Sequence, residues 1–222
     1  MSGLHGRSLL FDKSIHFLAN STFVRAAPIT LMLVWLWFRV DSRTIGTRES
    51  AIATAFCTVV ALVFVKVLRS FLPFRLRPLH NPDLLFVFPG GDSHALFEWS
   101  SFPSDTATFF FALSTGLFLT SRLLGSIAII YSFCAACLTR IYLGYHYPSD
   151  ILAGMIIGIM AAIIAFQSDI KGSLAYLPMK LLRHHPQTFY VCFFLVFLEL
   201  TNVFEDLRSI LAGLHYLTLL AN

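Results

Sequence analysis

Apolar residues along this chain do not alternate with polar ones; they gather into long runs separated by short polar breaks. A helix that crosses a bilayer needs about 20 mostly apolar residues, within a range of roughly 17–25. Six runs meet that requirement: 23–40, 51–68, 103–120, 124–142, 148–166 and 188–204. Residues 8–20 and 207–222 mix apolar and polar positions instead, the pattern of helices that lie in the membrane interface. The sequence therefore predicts an all-α integral membrane protein. One domain covers 1–222, with an interfacial N-terminal segment at 1–22, a six-helix transmembrane bundle at 23–204 and an interfacial C-terminal tail at 205–222.

Composition strengthens this picture. The chain is 57% hydrophobic and 13% charged, against about 45–50% and about 25% in soluble domains, so a water-soluble fold could not hide its apolar surface. The net charge of +4 is spread along the chain. A spread charge argues against nucleic acid as a partner and for membrane lipids and lipid phosphates. The four cysteines, Cys57, Cys134, Cys137 and Cys192, all fall inside apolar runs and read as small buried hydrophobes.

Six spans place both chain ends on one face of the membrane. That face also receives the loops after the second and fourth spans, and the starts of the third and fifth. The polar residues with chemical potential lie at those places. Between the fourth and fifth spans runs TRIYLGYHYPSD, residues 139–150. Pro148 suits the first turn of a helix, where a missing N–H costs nothing. His146 and Asp150, four apart at a helix start, can meet. The carboxylate would hold one ring N–H so that the other nitrogen faces outward as a nucleophile, and Arg140 would offer a planar fork to a phosphoryl group. The second span ends in Arg69, and Arg75-Leu76-Arg77-Pro78 follows in the long connection 69–102. Pro103 and Ser104 open the third span, leaving backbone N–H groups and a positive dipole end as an anion site.

On these residues the chain resembles the type 2 phosphatidic acid phosphatase superfamily of membrane lipid phosphatases. The family signature has three parts: Lys, six residues, Arg-Pro; then Pro-Ser-Gly-His; then Ser-Arg, five residues, His, three residues, Asp. Thr139, Arg140, His146 and Asp150 match the third part with its spacing, Thr standing for Ser. Arg69 and Arg77-Pro78 match the first loosely, with Arg for Lys and one extra residue. In the second, Pro103-Ser104 agree while Asp105 replaces Gly and Thr106 replaces His. The stretch FPSD (102–105) is similar to the branch of bacterial undecaprenyl-diphosphate phosphatases. The resemblance implies His146 as nucleophile, Asp150 as its orienter, and Arg69, Arg77, Ser104 and Arg140 as a phosphate cradle, with no metal and no cofactor.

What it leaves open is the general acid, since Thr106 stands where the family carries His. A lipid alcohol needs a proton to leave, whereas a lipid monophosphate leaving from a diphosphate has a relevant pKa near 6, as in phosphoserine, and can leave unprotonated. The expected function is accordingly hydrolysis of a polyprenyl (undecaprenyl-like) diphosphate through a phosphohistidine. The alternatives are a phosphatidate-type monophosphate phosphatase or lipid phosphotransferase with an acid from Asp105 or from His80, His94 or Glu98 of the connection, and a non-catalytic phospholipid-binding or transport protein. Leaving out the presumed catalytic arginines, the site face holds Arg7, Lys13, Arg25 and Arg208, and the opposite face Arg39, Arg43, Arg48, Arg122, Lys171, Lys180 and Arg183. The positive-inside rule then puts the opposite face in the cytoplasm, which predicts a bacterial inner-membrane protein with a periplasmic active site.

Overall fold

The computed structural model describes residues 9–40, 44–84 and 99–203. Among them the regular structure is entirely helical: α1 Leu9–Asn20, α2 Thr22–Phe38, α3 Thr44–Phe71, α4 Asp105–Thr120, α5 Arg122–Tyr142, α6 Pro148–Ala165, α7 Ser168–His184 and α8 Pro186–Thr201. Two single 3₁₀ turns, Pro78–His80 and Pro82–Leu84, follow α3. Every run expected to span the membrane is helical. Three stretches are long and apolar enough to cross by themselves: Ile45–Phe71 of α3, and α5 and α6 whole. The α1–α2 pair makes a fourth if it is counted as one span bent by 58°. The six-span count thus exceeds what length alone gives, because α4 and α8 are 16 residues each.

One helix was not expected. α7 carries Asp169, Lys171, Lys180, Arg183 and Pro178, so a search for apolar runs passes over it. It folds because Ala175 and Met179, four apart, present one buried stripe, the periodicity that defines an amphipathic helix. Of the segment 8–20, expected as an interfacial helix, residues 9–20 are helical as α1; the tail 207–222 lies outside the described residues. Cys57 and Cys137 are buried as expected, whereas Cys134 and Cys192 face out of the bundle.

The core is organised around α4, in which every residue from Thr106 to Leu117 is buried. Its neighbours reach it through small residues. A Cβ on Gly154 would stand 2.4 Å from the Ser104 carbonyl oxygen, and one on Gly158 2.4 Å from that of Thr108, so α6 lies backbone against backbone on α4. On the α3 side, a Cβ on Gly116 would stand 2.4 Å from the Thr54 Oγ1. Small residues at helix contacts are what membrane bundles use when lipid offers no hydrophobic drive for association. A π-helical turn at Ser132–Leu138 of α5 includes Ser132, whose hydroxyl bonds that of Ser114 on α4 at 2.8 Å. These contacts fix the height of α4 relative to α5 and α6, and so the position of the polar ends described next.

Candidate active site

Four chain segments converge at one end of this core: the end of α3 with the chain that follows it, the start of α4, the end of α5 and the start of α6. The connection from α5 to α6 turns at Gly144, whose φ of 68° is the left-handed conformation that closes helices at glycine. Leu143 and Tyr145, on either side, bury against Ala19 of α1. The Gly144 carbonyl accepts the Leu79 N–H at 3.0 Å. Pro148 then starts α6, and the Asp150 carboxylate reaches back to accept the Tyr147 N–H at 2.8 Å. His146 is held in this short, doubly anchored loop.

The His146 side chain is 3% exposed. Its Nδ1 lies 2.9 Å from the Ser101 carbonyl oxygen. A carbonyl can only accept, so Nδ1 carries the proton and Nε2 is the unprotonated nitrogen of the neutral ring. Asp150 Oδ2 is 3.7 Å from the same Nδ1, within ion-pair reach but beyond a hydrogen bond. The backbone carbonyl thus takes the N–H that the sequence reading assigned to the carboxylate. Burial pushes the His146 pKa down; Asp150 opposes this, Arg77 and Arg140 add to it, and Asp105 opposes it again. The net direction favours neutral imidazole.

Asp150 is fully buried and fully engaged. Oδ1 accepts from Arg75 Nη1 at 2.6 Å and Oδ2 from the Tyr147 N–H. Its carbonyl accepts the Ser104 N–H at 3.1 Å, which ties the start of α4 to the start of α6. Ser104 caps α4 through an Oγ that accepts the Ala107 N–H at 3.3 Å, leaving its hydroxyl proton as a donor. Arg77 is buried, donating from Nη1 to the Tyr145 carbonyl at 2.7 Å and from Nε to that of Trp99 at 3.1 Å. Burial pulls its pKa down to about 10, so it remains a cation at neutral pH. Arg69 donates to the Pro103 carbonyl at 2.8 Å and faces Asp105 Oδ2 at 3.8 Å. Arg140 lies over the Tyr145 ring, 5.1 Å from its centroid.

All seven residues expected at the site, Arg69, Arg77, Ser104, Asp105, Arg140, His146 and Asp150, therefore meet in one place. Asp105 accepts the Thr106 N–H at 2.8 Å and stands as counter-ion to Arg69. Thr106 is buried beside it. His80 sits in the 3₁₀ turn after Arg77; His94 and Glu98 lie outside the described residues. Sequence reasoning missed Arg75 and Ser101. The signal for Arg75 was the alternation Arg75-Leu76-Arg77 in extended chain; nothing in the sequence marks a backbone carbonyl as a histidine partner. Among the described residues no group of three His, Cys, Asp or Glu side chains is placed to hold a metal ion. Three arginines, Arg69, Arg77 and Arg140, and a helix start gather around one histidine, an arrangement whose chemistry suits an anion.

Comparison with known proteins decides the kinship. The profile of the PAP2 superfamily matches residues 51–171, a stretch that runs from within α3 through α6 and holds every site residue above. The chain belongs to the PAP2 superfamily. It is 28% identical to the bacitracin transport permease protein BcrC of Bacillus licheniformis over 78% of each chain. It is 26% identical to the undecaprenyl-diphosphatase BcrC of Bacillus subtilis, over 74% of this chain and 78% of that one. With the lipid A 4'-phosphatase of Bacteroides thetaiotaomicron it shares 31% identity, over 71% of this chain and 73% of the other. No solved structure matches the chain significantly. The family and the phosphatases among these relatives support a membrane-bound hydrolase acting on lipid phosphates.

Proposed function

We propose that this chain hydrolyses a polyprenyl diphosphate, undecaprenyl-like in class, from the periplasmic side of a bacterial inner membrane. The observation that carries the reading is the buried His146 ring, whose Nδ1 lies 2.9 Å from the Ser101 carbonyl oxygen and so leaves Nε2 as the nitrogen free of that bond. Nε2 attacks the terminal phosphorus. The bond from phosphorus to the bridging oxygen breaks, and its electron pair leaves with the lipid monophosphate. Arg69, Arg77, Arg140 and the Ser104 hydroxyl hold the phosphoryl oxygens as charge shifts among them. Water then attacks the phosphohistidine, releasing inorganic phosphate and returning the pair of electrons to Nε2, with Asp150 stabilising the transient positive ring. The undecaprenyl-diphosphatase BcrC of Bacillus subtilis among the relatives favours this substrate class.

Thr106 fits the reading. General-acid help is worth about 10²–10⁴-fold, and it matters where the leaving oxygen is a poor bearer of charge. A phosphate leaving group needs little of it. Asp105, beside Arg69, has its natural place as a counter-ion, so a diphosphate requires no acid from it. The lipid A 4'-phosphatase relative favours a second reading, a lipid monophosphatase or phosphotransferase with an acid from Asp105, His80, His94 or Glu98. Six crossings, with α4 and α8 as the shorter ones, complete the topology; the cation excess on the far face, including Lys171, Lys180 and Arg183 of α7, supports the outward orientation of the site.

The test is phosphate release by right-side-out membrane vesicles that contain the protein, supplied with polyprenyl diphosphate, polyprenyl monophosphate and phosphatidate. Release into the external medium from the diphosphate, at least about 100-fold above either monophosphate, is the expected result. Equal rates on all three contradict the substrate class, and release confined to the lumen contradicts the orientation.

A further inference from the structure

We propose that Arg75 is a positioning residue of this site: its guanidinium holds the Asp150 carboxylate away from the imidazole, so that His146 keeps its proton on the Ser101 carbonyl and reacts as a neutral ring. The inference rests on the reading of His146 as nucleophile. Arg75 is not one of the residues expected at the site, yet its contacts reach both partners of that ring.

The side chain donates from Nη1 to Asp150 Oδ1 at 2.6 Å and to Ser149 Oγ at 3.0 Å. It lies over the Tyr147 ring at 4.2 Å from the centroid and near the Phe102 ring at 6.0 Å, cation–π contacts that hold the cation in place. The main chain of the same residue accepts the Ser101 N–H at 2.9 Å, and its N–H donates to Ser100 Oγ at 3.2 Å. Ser101 is the residue whose carbonyl receives the His146 proton. One residue thus fixes the carboxylate through its side chain and the carbonyl through its backbone.

The electrostatic consequence has a sign. His146 faces Arg77 from the chain after α3, Arg140 from α5, Asp105 from α4 and Asp150 from α6. With Arg75 bound, part of the Asp150 charge is neutralised at its far oxygen. Without Arg75, Oδ1 loses its closest cation and the imidazolium is better stabilised. The ring then stays protonated to higher pH, and a protonated ring has no lone pair to attack phosphorus.

The experiment measures phosphate release from polyprenyl diphosphate against pH for the purified full chain in detergent, with Arg75→Gln, Arg75→Lys and His146→Ala. The expected result for Arg75→Gln is an acid limb of kcat/KM moved upward by about one pH unit, with kcat lowered at acid pH and KM within about twofold. Arg75→Lys keeps a charge on Asp150 and should restore most of the limb. Should Arg75→Gln not fold, Tyr147→Leu removes the ring beneath the guanidinium and should move the limb the same way by less. An unmoved limb, with both Arg75 variants losing activity equally, overturns the inference. So does a raised KM with kcat unchanged, which would make Arg75 a phosphate ligand. Turnover by His146→Ala would instead remove the nucleophile reading itself, whatever Arg75 does.

Discussion

The seam between α4 and α6 and the seam between α2 and α8 are made of opposite materials. At the first, Gly154 and Gly158 bring the α6 backbone against the Ser104 and Thr108 carbonyls, and the Ser104 N–H meets the Asp150 carbonyl at 3.1 Å. At the second, Trp37 stacks on Phe189 at 5.2 Å and leans on Phe193 at 4.9 Å, beside an apolar cavity of about 430 Å³. Aromatic surfaces tolerate voids and small shifts because dispersion is spread over many weak contacts. Backbone contacts do not, since a Cβ at 2.4 Å has nowhere to go. The demanding seam is the one that ends at His146 and the arginines around it. The tolerant one holds the far side of the bundle, where Cys192 and Phe194 face outward.

Thr106→His should raise hydrolysis of lipid monophosphates by about 10²–10⁴-fold and change diphosphate hydrolysis by less than about tenfold, read as kcat/KM on both substrates. An equal gain on both would mean that the leaving-group pKa is not what makes Thr tolerable. Gly154→Ala should lower kcat on the diphosphate by about 100-fold, the usual cost of moving a reacting group by an ångström, because Ser104 must shift. Activity near the parent level would show that the close approach is incidental. Gly172→Ala on α7 meets nothing within 4 Å. It should leave turnover unchanged and raise thermal stability by up to about 1 kcal/mol through helix propensity. A loss there as large as at Gly154 would show that the cost at Gly154 does not come from its close backbone approach.

The sequence shows the tight region better than the tolerant one, for physical reasons. Long apolar runs reveal α3, α5 and α6 because burial in lipid demands that composition over the whole length. His146, Asp150 and Arg140 stand out because charged groups at membrane depth are costly without a task. α7 stays hidden because an amphipathic helix averages its apolar stripe away. The 58° break between α1 and α2 follows from Ser21 capping a new helix, where it accepts the Val24 N–H at 3.3 Å, and one serine is a faint signal for so large a turn. Arg75 and Arg77 differ by two positions in sequence, yet one clasps a carboxylate and the other three carbonyls. That division depends on which chain segments flank them, and segment pairing is a tertiary property. The Ser101 carbonyl is hidden for the same reason.

The central claim is that His146 Nε2 takes the phosphoryl group. Rapid quench of the protein with polyprenyl diphosphate labelled at the terminal phosphorus tests it most directly. An acid-labile, base-stable label on His146 within one turnover, absent from His146→Ala, is the predicted result, with the Ala variant slower by at least about 10⁴-fold, as when a nucleophile is removed. Unlabelled His146 at full turnover, or an active Ala variant, would contradict the account.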